Sequence, residues 1–188
     1  MRKHIIPLKT PLTDDVVKTL TAGTAVTLSG VVYAARDAAH RRFVELLARG
    51  ESLPFDPIGA VIYYVGPSPA PPNKVIGSAG PTTARRMDPY VERLYALGVK
   101  GSIGKGDRGP EVREALMRHT AVYFAATGGA AALLAQHIRS ARVIAFDDLG
   151  TEAVRELVFA DFPAFVAIDC HGNDIFTRGR GRYRIERR

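Results

Sequence analysis

The sequence predicts an α/β domain in which helices pack on a partly mixed sheet. Short runs rich in β-branched and aromatic residues alternate along the chain with amphipathic stretches at helical spacing. The last predicted strands follow one another without long helices between them, which favours a mixed rather than a purely parallel sheet. The 188 residues show no repeat of fixed period and have room for one domain or two small ones.

The first half of the chain contains two predicted helices and two predicted strands. Thr13, followed by two aspartates, is typical of a helix start, and Gly23 would end that helix. Apolar residues at helical spacing support a second helix, which Gly50 would end. The run AVTLSGVVYAA and a continuous apolar run further on are typical of strands. In order, these elements are the helix of residues 13–23, the strand of 25–35, the helix of 37–48 and the strand of 60–65.

The second half begins with a stiff loop. Four prolines within residues 67–72 indicate an internal loop rather than a linker, because the composition does not change on either side. Pro110 suits the first turn of a helix, and Gly172-Asn173 suits the turn of a hairpin. The predicted elements are strand 74–78, helix 83–97 with a kink at Pro89, strand 99–103, helix 110–118, strand 121–125, helix 130–138, strand 142–146, a short helix at 152–156, and hairpin strands at 165–169 and 175–176.

The net charge of +7 comes mostly from one end of the chain. Residues 178–188 contain six Arg and one Glu, which gives +5 and leaves only +2 for everything before them. The body of the protein is therefore nearly neutral, which weakens the nucleic-acid interpretation that a basic protein invites. The longest stretch of low charge, 120–136, is broken by two glycines, and no secretory apolar segment is present, so we expect a soluble cytoplasmic protein without a membrane segment.

The segment GKGDRG (104–109) matches the pattern GxGxxG between a predicted strand and a predicted helix. A dinucleotide site also needs a carboxylate about 20 residues further on, and that region contains none. A GxxxxGK[ST] phosphate loop fails as well, because Gly106 follows Lys105. What remains is Lys105 between two glycines at a strand end, a position where a lysine and backbone N–H groups can face an anion.

Two other junctions also present cations. Arg36 stands between a predicted strand and helix, and Arg86 is four residues after Thr82 at the start of another helix. Taken singly, each has a simpler interpretation as a helix cap with a local ion pair or a surface arginine. Because ligands of α/β proteins collect beyond strand ends, cations at three junctions indicate a site for a small dicarboxylate.

Metal ligands are sparse. Asp147, Asp148 and Glu152 could suggest a metal site, but a strand end followed by a capped helix explains them better. Cys170 is the only cysteine, so one chain cannot form a disulfide framework, a cysteine-only zinc site or an iron–sulfur site. Cys170 beside His171 is interpreted as a pair of turn residues. We therefore predict no metal site on this chain.

Five motifs resemble those of the β subunit of class I fumarate hydratases and L-tartrate dehydratases. They are YAARDAAHRR (33–42), GPTTARRMDPY (80–90), GKG (104–106), GGAAALLA (128–135) and DCHGNDIF (169–176). They occur in the order of that family, and the resemblance runs over residues 5–176. We therefore expect a single domain over residues 1–176, followed by a flexible Arg-rich tail over 177–188.

The resemblance implies a swivelling β/β/α layered domain and a hydro-lyase that reversibly hydrates fumarate to L-malate, or alternatively dehydrates tartrate or a related hydroxy-diacid. It implies a [4Fe–4S] cluster held by three cysteines of an α subunit, not by this chain. We expect a hetero-oligomer such as α2β2 that is inactive without the α subunit. The alternative from another class is a basic module that binds nucleic acid through its tail, but Tyr183 is the only aromatic residue there, so we do not expect a nucleic-acid partner.

The family motifs also imply roles for individual residues. Arg36, Arg86 and Lys105 resemble the groups that hold the substrate carboxylates. Thr82 resembles the residue at the reacting carbon that acts in proton transfer, although a threonine hydroxyl needs activation by its surroundings. For the neighbours Asp37, His40 and Thr83 we expect supporting roles.

Overall fold

The computed structural model describes residues 5–184, which form seven strands and six α-helices. The strands are β1 (Ile6–Lys9), β2 (Ala25–Ala34), β3 (Val61–Tyr63), β4 (Gly101–Gly104), β5 (Val122–Ala125), β6 (Ile138–Ala145) and β7 (Val154–Ile168). The helices are α1 (Asp14–Thr19), α2 (Asp37–Ala48), α3 (Asp88–Ala96), α4 (Pro110–Arg118), α5 (Ala131–Ala135) and α6 (Ile175–Tyr183). Two 3-10 helices, Ala84–Met87 and Asp147–Glu152, precede α3 and β7.

The strands form one mixed sheet that closes on itself. Its order is β1-β2-β3-β4-β5-β7-β6, and the first five strands run parallel to one another. The long strand β7 runs antiparallel to β5 and β6 and also pairs with β2, so that the sheet from β2 to β7 closes like a barrel. An α/β fold with a mixed sheet is therefore confirmed.

Apolar side chains that point alternately to the two faces of the strands form two hydrophobic cores, one on each face of the sheet. In β3, Val61 and Tyr63 face a core shared with Leu28, Phe124 and Phe162, made mostly of strand residues. The intervening residues of the same segment contribute to a second core with side chains from α2, α3 and α4. Because successive side chains of a strand point to opposite faces, one short apolar run can supply both cores. Helices α2, α3 and α4 therefore cover the outer face of a closed sheet.

Most predicted elements are confirmed, and helix 110–118 has the predicted bounds. The predicted strand 74–78 is wrong. Its backbone folds back on the proline-rich loop, with Ser68 N donating to the Ser78 carbonyl at 3.1 Å and Ser78 N to Ser68 Oγ at 2.9 Å. The segment therefore makes its hydrogen bonds to a loop instead of a sheet.

The end of the domain also differs from the prediction. The prediction of a short helix at 152–156 is wrong, because residues 147–152 form the 3-10 helix and β7 begins at Val154. Helix 130–138 is shorter, since β6 already starts at Ile138. The hairpin strand at 175–176 is helix α6, because the Asp174 carboxylate accepts hydrogen bonds from Phe176 N and Thr177 N and caps a helix start.

The Arg-rich segment over 177–188 continues α6 as far as Tyr183, and its last four residues lie outside the described part of the chain. Arg180 of this helix forms an ion pair with Asp107, in the loop after β4. No helix within residues 5–184 is long and apolar enough to cross a membrane.

Candidate functional site

The predicted site residues lie where parallel strands end. Strands β2 to β5 are parallel, so their carboxyl ends share one edge of the sheet. Arg36 follows β2 and Lys105 follows β4. The segment from Thr82 to Arg86 joins them there, because Thr82 N donates to the Tyr64 carbonyl beyond β3 at 2.8 Å and Lys105 N donates to the Thr82 carbonyl at 3.0 Å.

Arginines and carboxylates form a small network at the start of α2. Arg36 Nη2 lies 3.2 Å from Glu152 Oε1, and Arg86 Nη1 lies 3.0 Å from Asp37 Oδ1. The same Asp37 oxygen is 4.0 Å from Arg36 Nε. Asp37 thus links two of the three predicted cations, and each guanidinium is paired with a carboxylate of this chain. An arginine has five N–H donors, so one such pair leaves donors for a further anion.

Thr82, Thr83 and Lys105 come together through backbone pairing. Residues 83 and 105 form an isolated parallel bridge, which extends the sheet beyond the end of β4. The Lys105 ammonium donates to Thr83 Oγ1 at 3.3 Å and the side chain is exposed. The Thr82 hydroxyl donates to the Tyr64 carbonyl at 2.8 Å, which fixes its oxygen and leaves its lone pairs available to accept a hydrogen bond.

Close packing under this bridge requires Gly104. A Cβ on Gly104 would stand 2.9 Å from Ala84 Cβ and 2.9 Å from Tyr64 Cδ2. Any larger residue would therefore push apart the strand end that carries Lys105 and the segment that carries Thr82. The glycine of the GKG motif has a packing role here.

His40 does not reach the surface. It is fully buried, and its ring contacts Phe43 and Tyr64 at centroid distances of 5.6 and 5.4 Å. Its Nδ1 lies 2.8 Å from the Arg36 carbonyl, which can only accept, so Nδ1 carries the hydrogen. Burial lowers the pKa of His40 to about 4, so the ring is neutral at pH 7. Through this bond His40 fixes the backbone of Arg36.

Sequence reasoning missed the buried pair of Arg108 and Asp88. Arg108 Nε donates to Asp88 Oδ1 at 2.6 Å, and Gly109 N donates to the other oxygen at 2.7 Å. The guanidinium also lies over the rings of Tyr64 and Tyr123, at 5.4 and 5.0 Å. Burial by itself would lower the pKa of Arg108, but the tyrosines and Asp88 raise it above its usual value. This pair supports Tyr64, the residue whose carbonyl holds Thr82.

No sequence signal distinguished Arg108 from the surface arginines. It stands in a glycine-rich loop, where charged residues are normally solvated, and Asp88 is explained equally well as an ordinary acidic residue in a helix's first turn. Only the closure of that loop over the rings of Tyr64 and Tyr123 buries it.

The residues of this chain do not fit an iron–sulfur cluster. Such a cluster needs several thiolates, whereas the chain has one cysteine, whose pKa burial raises. Within residues 5–184 there is also no group of three or more His, Cys, Asp or Glu residues that could hold a metal ion. The acidic residues after β6 pair instead with arginines, Asp148 with Arg42 and Glu152 with Arg36.

Taken together, the fold and these side chains define an α/β domain with three cations at one edge of its parallel strands. Over residues 2–179 the chain matches the family described as fumarase C-terminus. It belongs to that family, as the motifs of the sequence indicated.

Individual relatives agree with this assignment. The chain is 40% identical over 180 residues to "Fumarate hydratase 2" of Leishmania major, covering 92% of this chain and 31% of that protein. It is 41% identical over 159 residues to "Fumarate hydratase class I, aerobic" of Escherichia coli K12, covering 82% of this chain and 29% of that protein. It is 41% identical over 171 residues to "Putative L(+)-tartrate dehydratase subunit beta" of Methanocaldococcus jannaschii, covering 88% of each. The chain thus spans about three tenths of the length of the two fumarate hydratases, and these named relatives are all hydro-lyases.

Proposed function

We propose that this chain is the dicarboxylate-binding subunit of a hydro-lyase that reversibly hydrates fumarate to L-malate in the cytoplasm. The observation that carries the proposal is the placement of Arg36, Arg86 and Lys105 at one edge of the sheet, in a chain that belongs to the fumarase C-terminus family. In this proposal the cations hold the two carboxylates of the substrate. Guanidinium groups bind carboxylates with two hydrogen bonds and thereby fix their orientation.

The chemistry of hydration explains why cations are needed. Removal of a proton next to a carboxylate moves negative charge onto that carboxylate, and the reverse reaction passes through the same charged arrangement. A cation that is already in place stabilises this charge without reorganisation, and one preorganised donor contributes about 2.7–4 kcal/mol. Arg86, in the 3-10 helix before α3, and Lys105, directly after β4, are both exposed and are suited to this role.

Thr82 is proposed as the residue of this chain that takes part in proton transfer. Its hydroxyl donates to the Tyr64 carbonyl, so its oxygen presents lone pairs at a fixed position. Proton transfer to or from that oxygen requires a stronger base or an electrostatic field, because a free threonine hydroxyl is a weak base. We propose that a second subunit supplies this activation.

The second subunit is also proposed to carry the [4Fe–4S] cluster, since the residues of this chain cannot hold one. The cluster would supply Lewis-acid chemistry for the hydroxyl group of the substrate. We propose an assembly such as α2β2, in which this chain is inactive without its α subunit. The greater length of the two fumarate hydratases supports the need for further protein.

A second candidate is the dehydration of L-tartrate or a related hydroxy-diacid. The observation that favours it is the Methanocaldococcus relative, which matches this chain over 88% of both lengths. The cations recognise carboxylates, which fumarate and tartrate share. The ratio of kcat/KM for the two substrates therefore decides between the candidates.

The proposal is tested by producing the chain together with its cluster-bearing subunit under anaerobic conditions and measuring fumarate hydration. We expect kcat/KM to fall about 10²–10³-fold in Arg86→Ala, the effect of losing one preorganised donor. Arg49→Ala is the matched control, because Arg49 pairs with Glu51 at the end of α2 and touches no predicted site residue. Equal activity of the wild-type protein and Arg86→Ala would refute the proposed carboxylate site.

A further inference from the structure

The two arginines at the start of α2 differ in how much room they leave for a ligand. The Arg86 side chain is 41% exposed and pairs with Asp37 through one nitrogen. The Arg36 side chain is only 20% exposed. A substrate carboxylate could therefore reach Arg86 without displacing anything, whereas its approach to Arg36 depends on what already surrounds that guanidinium.

The surroundings of the Arg36 guanidinium differ from one nitrogen to the next. Nη1 faces the backbone of Gly66, since a Cβ on that glycine would lie 2.5 Å from it. Nε is buried without a hydrogen-bond partner, on the side of Asp37. The remaining side, at Nη2, is taken by the Glu152 carboxylate at 3.2 Å. Nη2 is thus the nitrogen of Arg36 that already holds a carboxylate, and a substrate carboxylate that binds there takes the place of Glu152.

The turn that carries Glu152 is fastened independently of this contact. Arg155 donates to the carbonyls of Gly150, Thr151 and Ala153 at 2.8, 3.1 and 3.2 Å. Arg42 of α2 pairs with Asp148 in the same turn. Besides this ion pair, Glu152 accepts a hydrogen bond from Ala38 N at Oε2, at 3.2 Å. The Glu152 side chain can thus leave Arg36 without unfolding the turn.

We infer that Glu152 is a displaceable internal carboxylate, which occupies Arg36 in the free subunit and is exchanged for a carboxylate of the substrate. The inference rests on the proposed function, because it assumes that Arg36 receives a substrate carboxylate. Glu152 keeps the half-buried guanidinium paired until the substrate arrives, because an arginine that is only 20% exposed is costly to leave without a counter-charge. It also weakens substrate binding, because the substrate must compete with it.

Glu152→Gln separates this role from a purely structural one. The glutamine has the same shape and can still accept the hydrogen bond from Ala38 N, but it no longer offers a charged competitor. If Glu152 only positioned Arg36 or capped α2, its loss would weaken dicarboxylate binding or leave it unchanged. If Glu152 competes with the substrate, binding becomes tighter. The sign of the change therefore separates a carboxylate that opposes substrate binding from one with a purely structural role.

The experiment titrates the full 188-residue chain with succinate, an unreactive four-carbon dicarboxylate, and follows amide shifts by NMR. We expect Glu152→Gln to bind succinate about fivefold more tightly than the wild-type protein, the scale of one partly exposed ion pair. Glu152→Ala should change the affinity in the same direction, and the spectra themselves show whether each variant is folded. Glu92→Gln, which removes a carboxylate that pairs with Arg118 and His119, is the matched control and should leave the affinity unchanged.

The outcomes separate this inference from the proposed function. Equal or weaker succinate binding by both Glu152 variants, with weaker binding by Arg86→Ala, overturns the displaceable carboxylate and leaves the proposed site standing. No succinate binding by any variant overturns the proposed carboxylate site and this inference together. In the reconstituted enzyme, the inference also requires that Glu152→Gln lower KM for the dicarboxylate substrate, with little change in kcat.

Discussion

Replacing Asp88 by Asn should strongly destabilise the protein, because it removes the carboxylate that neutralises buried Arg108. The two side chains are 0% and 5% exposed, so neither is screened by water. Breaking a buried pair on one side typically costs about 3–5 kcal/mol, since the remaining charge is left uncompensated. Asparagine can still accept the hydrogen bond that Gly109 N donates to Asp88 Oδ2 at 2.7 Å. The amide nitrogen of the asparagine cannot accept the other hydrogen bond, from Arg108 Nε, so the loss reports the charge and that hydrogen bond, and not the shape.

This prediction is measured by urea unfolding, followed by far-UV circular dichroism. We expect a lower midpoint with an unchanged slope, which means a loss of stability without a change in the surface exposed on unfolding. Glu92→Gln is the matched control, because Glu92 pairs with Arg118 on the surface and such pairs contribute about 0–1 kcal/mol. A loss of about 3–5 kcal/mol is a large part of the free energy of unfolding of a typical domain, which is about 5–15 kcal/mol at ~25 °C.

A double variant tests whether the lost stability comes from the uncompensated charge of Arg108. Asp88→Asn combined with Arg108→Met removes both charges and leaves an apolar side chain between Tyr64 and Tyr123. Replacing both partners of a buried pair by apolar or neutral groups is often nearly neutral, so most of the lost stability should return. A loss below about 1 kcal/mol in the single variant would refute an uncompensated buried charge. A double variant no more stable than the single one would refute it as well.

Three further predictions concern the surroundings of the site. Burial lowers the pKa of His40 to about 4, so its contribution to stability is complete above its unfolded pKa of about 6.5 and is lost as the pH falls. Between pH 7 and 4.5 the wild-type protein should therefore lose ~2–3 kcal/mol more than His40→Leu in urea titrations. Equal losses would contradict a buried neutral ring. Gly104→Ala should lower the free energy of unfolding by about 1–3 kcal/mol in the same assay, because the new Cβ would lie 2.9 Å from Ala84 Cβ. Unchanged stability would show that the strand end can shift. Arg180→Ala should raise the lowered pKa of Asp107 toward its ordinary value, as measured by NMR titration of the Asp107 carboxyl. The stability should change by less than about 1 kcal/mol, because the ion pair is exposed. An unchanged pKa would show that α6 does not dock on the loop after β4.

The parts of the fold that follow from local chemistry were predictable from the sequence. Helix 110–118 was placed correctly, because a proline at the first turn and an amphipathic pattern act within the segment itself. The strand at 74–78 was wrong, because the hydrogen-bond partners of a β-branched run depend on what lies beside it. The predicted strand at 165–169 lies largely within β7, but the second hairpin strand at 175–176 was wrong, since two capping hydrogen bonds to Asp174 start a helix where the turn signal favoured a strand.

The candidate site was likewise predictable from the sequence only in part. Arg36, Arg86 and Lys105 could be singled out because each follows a strand or starts a helix, and these positions are visible in the pattern of the chain. The carboxylates that pair with two of them were not assigned to them: Asp37 was given only a supporting role, and Glu152 was interpreted as part of a capped helix. Glu152 is separated from Arg36 by more than a hundred residues, and no spacing rule links them.

The sequence by itself determined the α/β class, the family and the set of cations, because alternation, turn chemistry and motif order are properties of the chain. Only the tertiary structure decided which of these charges are buried, paired or exposed. Closure of the sheet through β7 brings Glu152 to Arg36, and the loop after β4 buries Arg108 on Asp88. The physical reason is that the energy of a charge depends on its distance from water and from other charges, and both are fixed only when distant segments pack together.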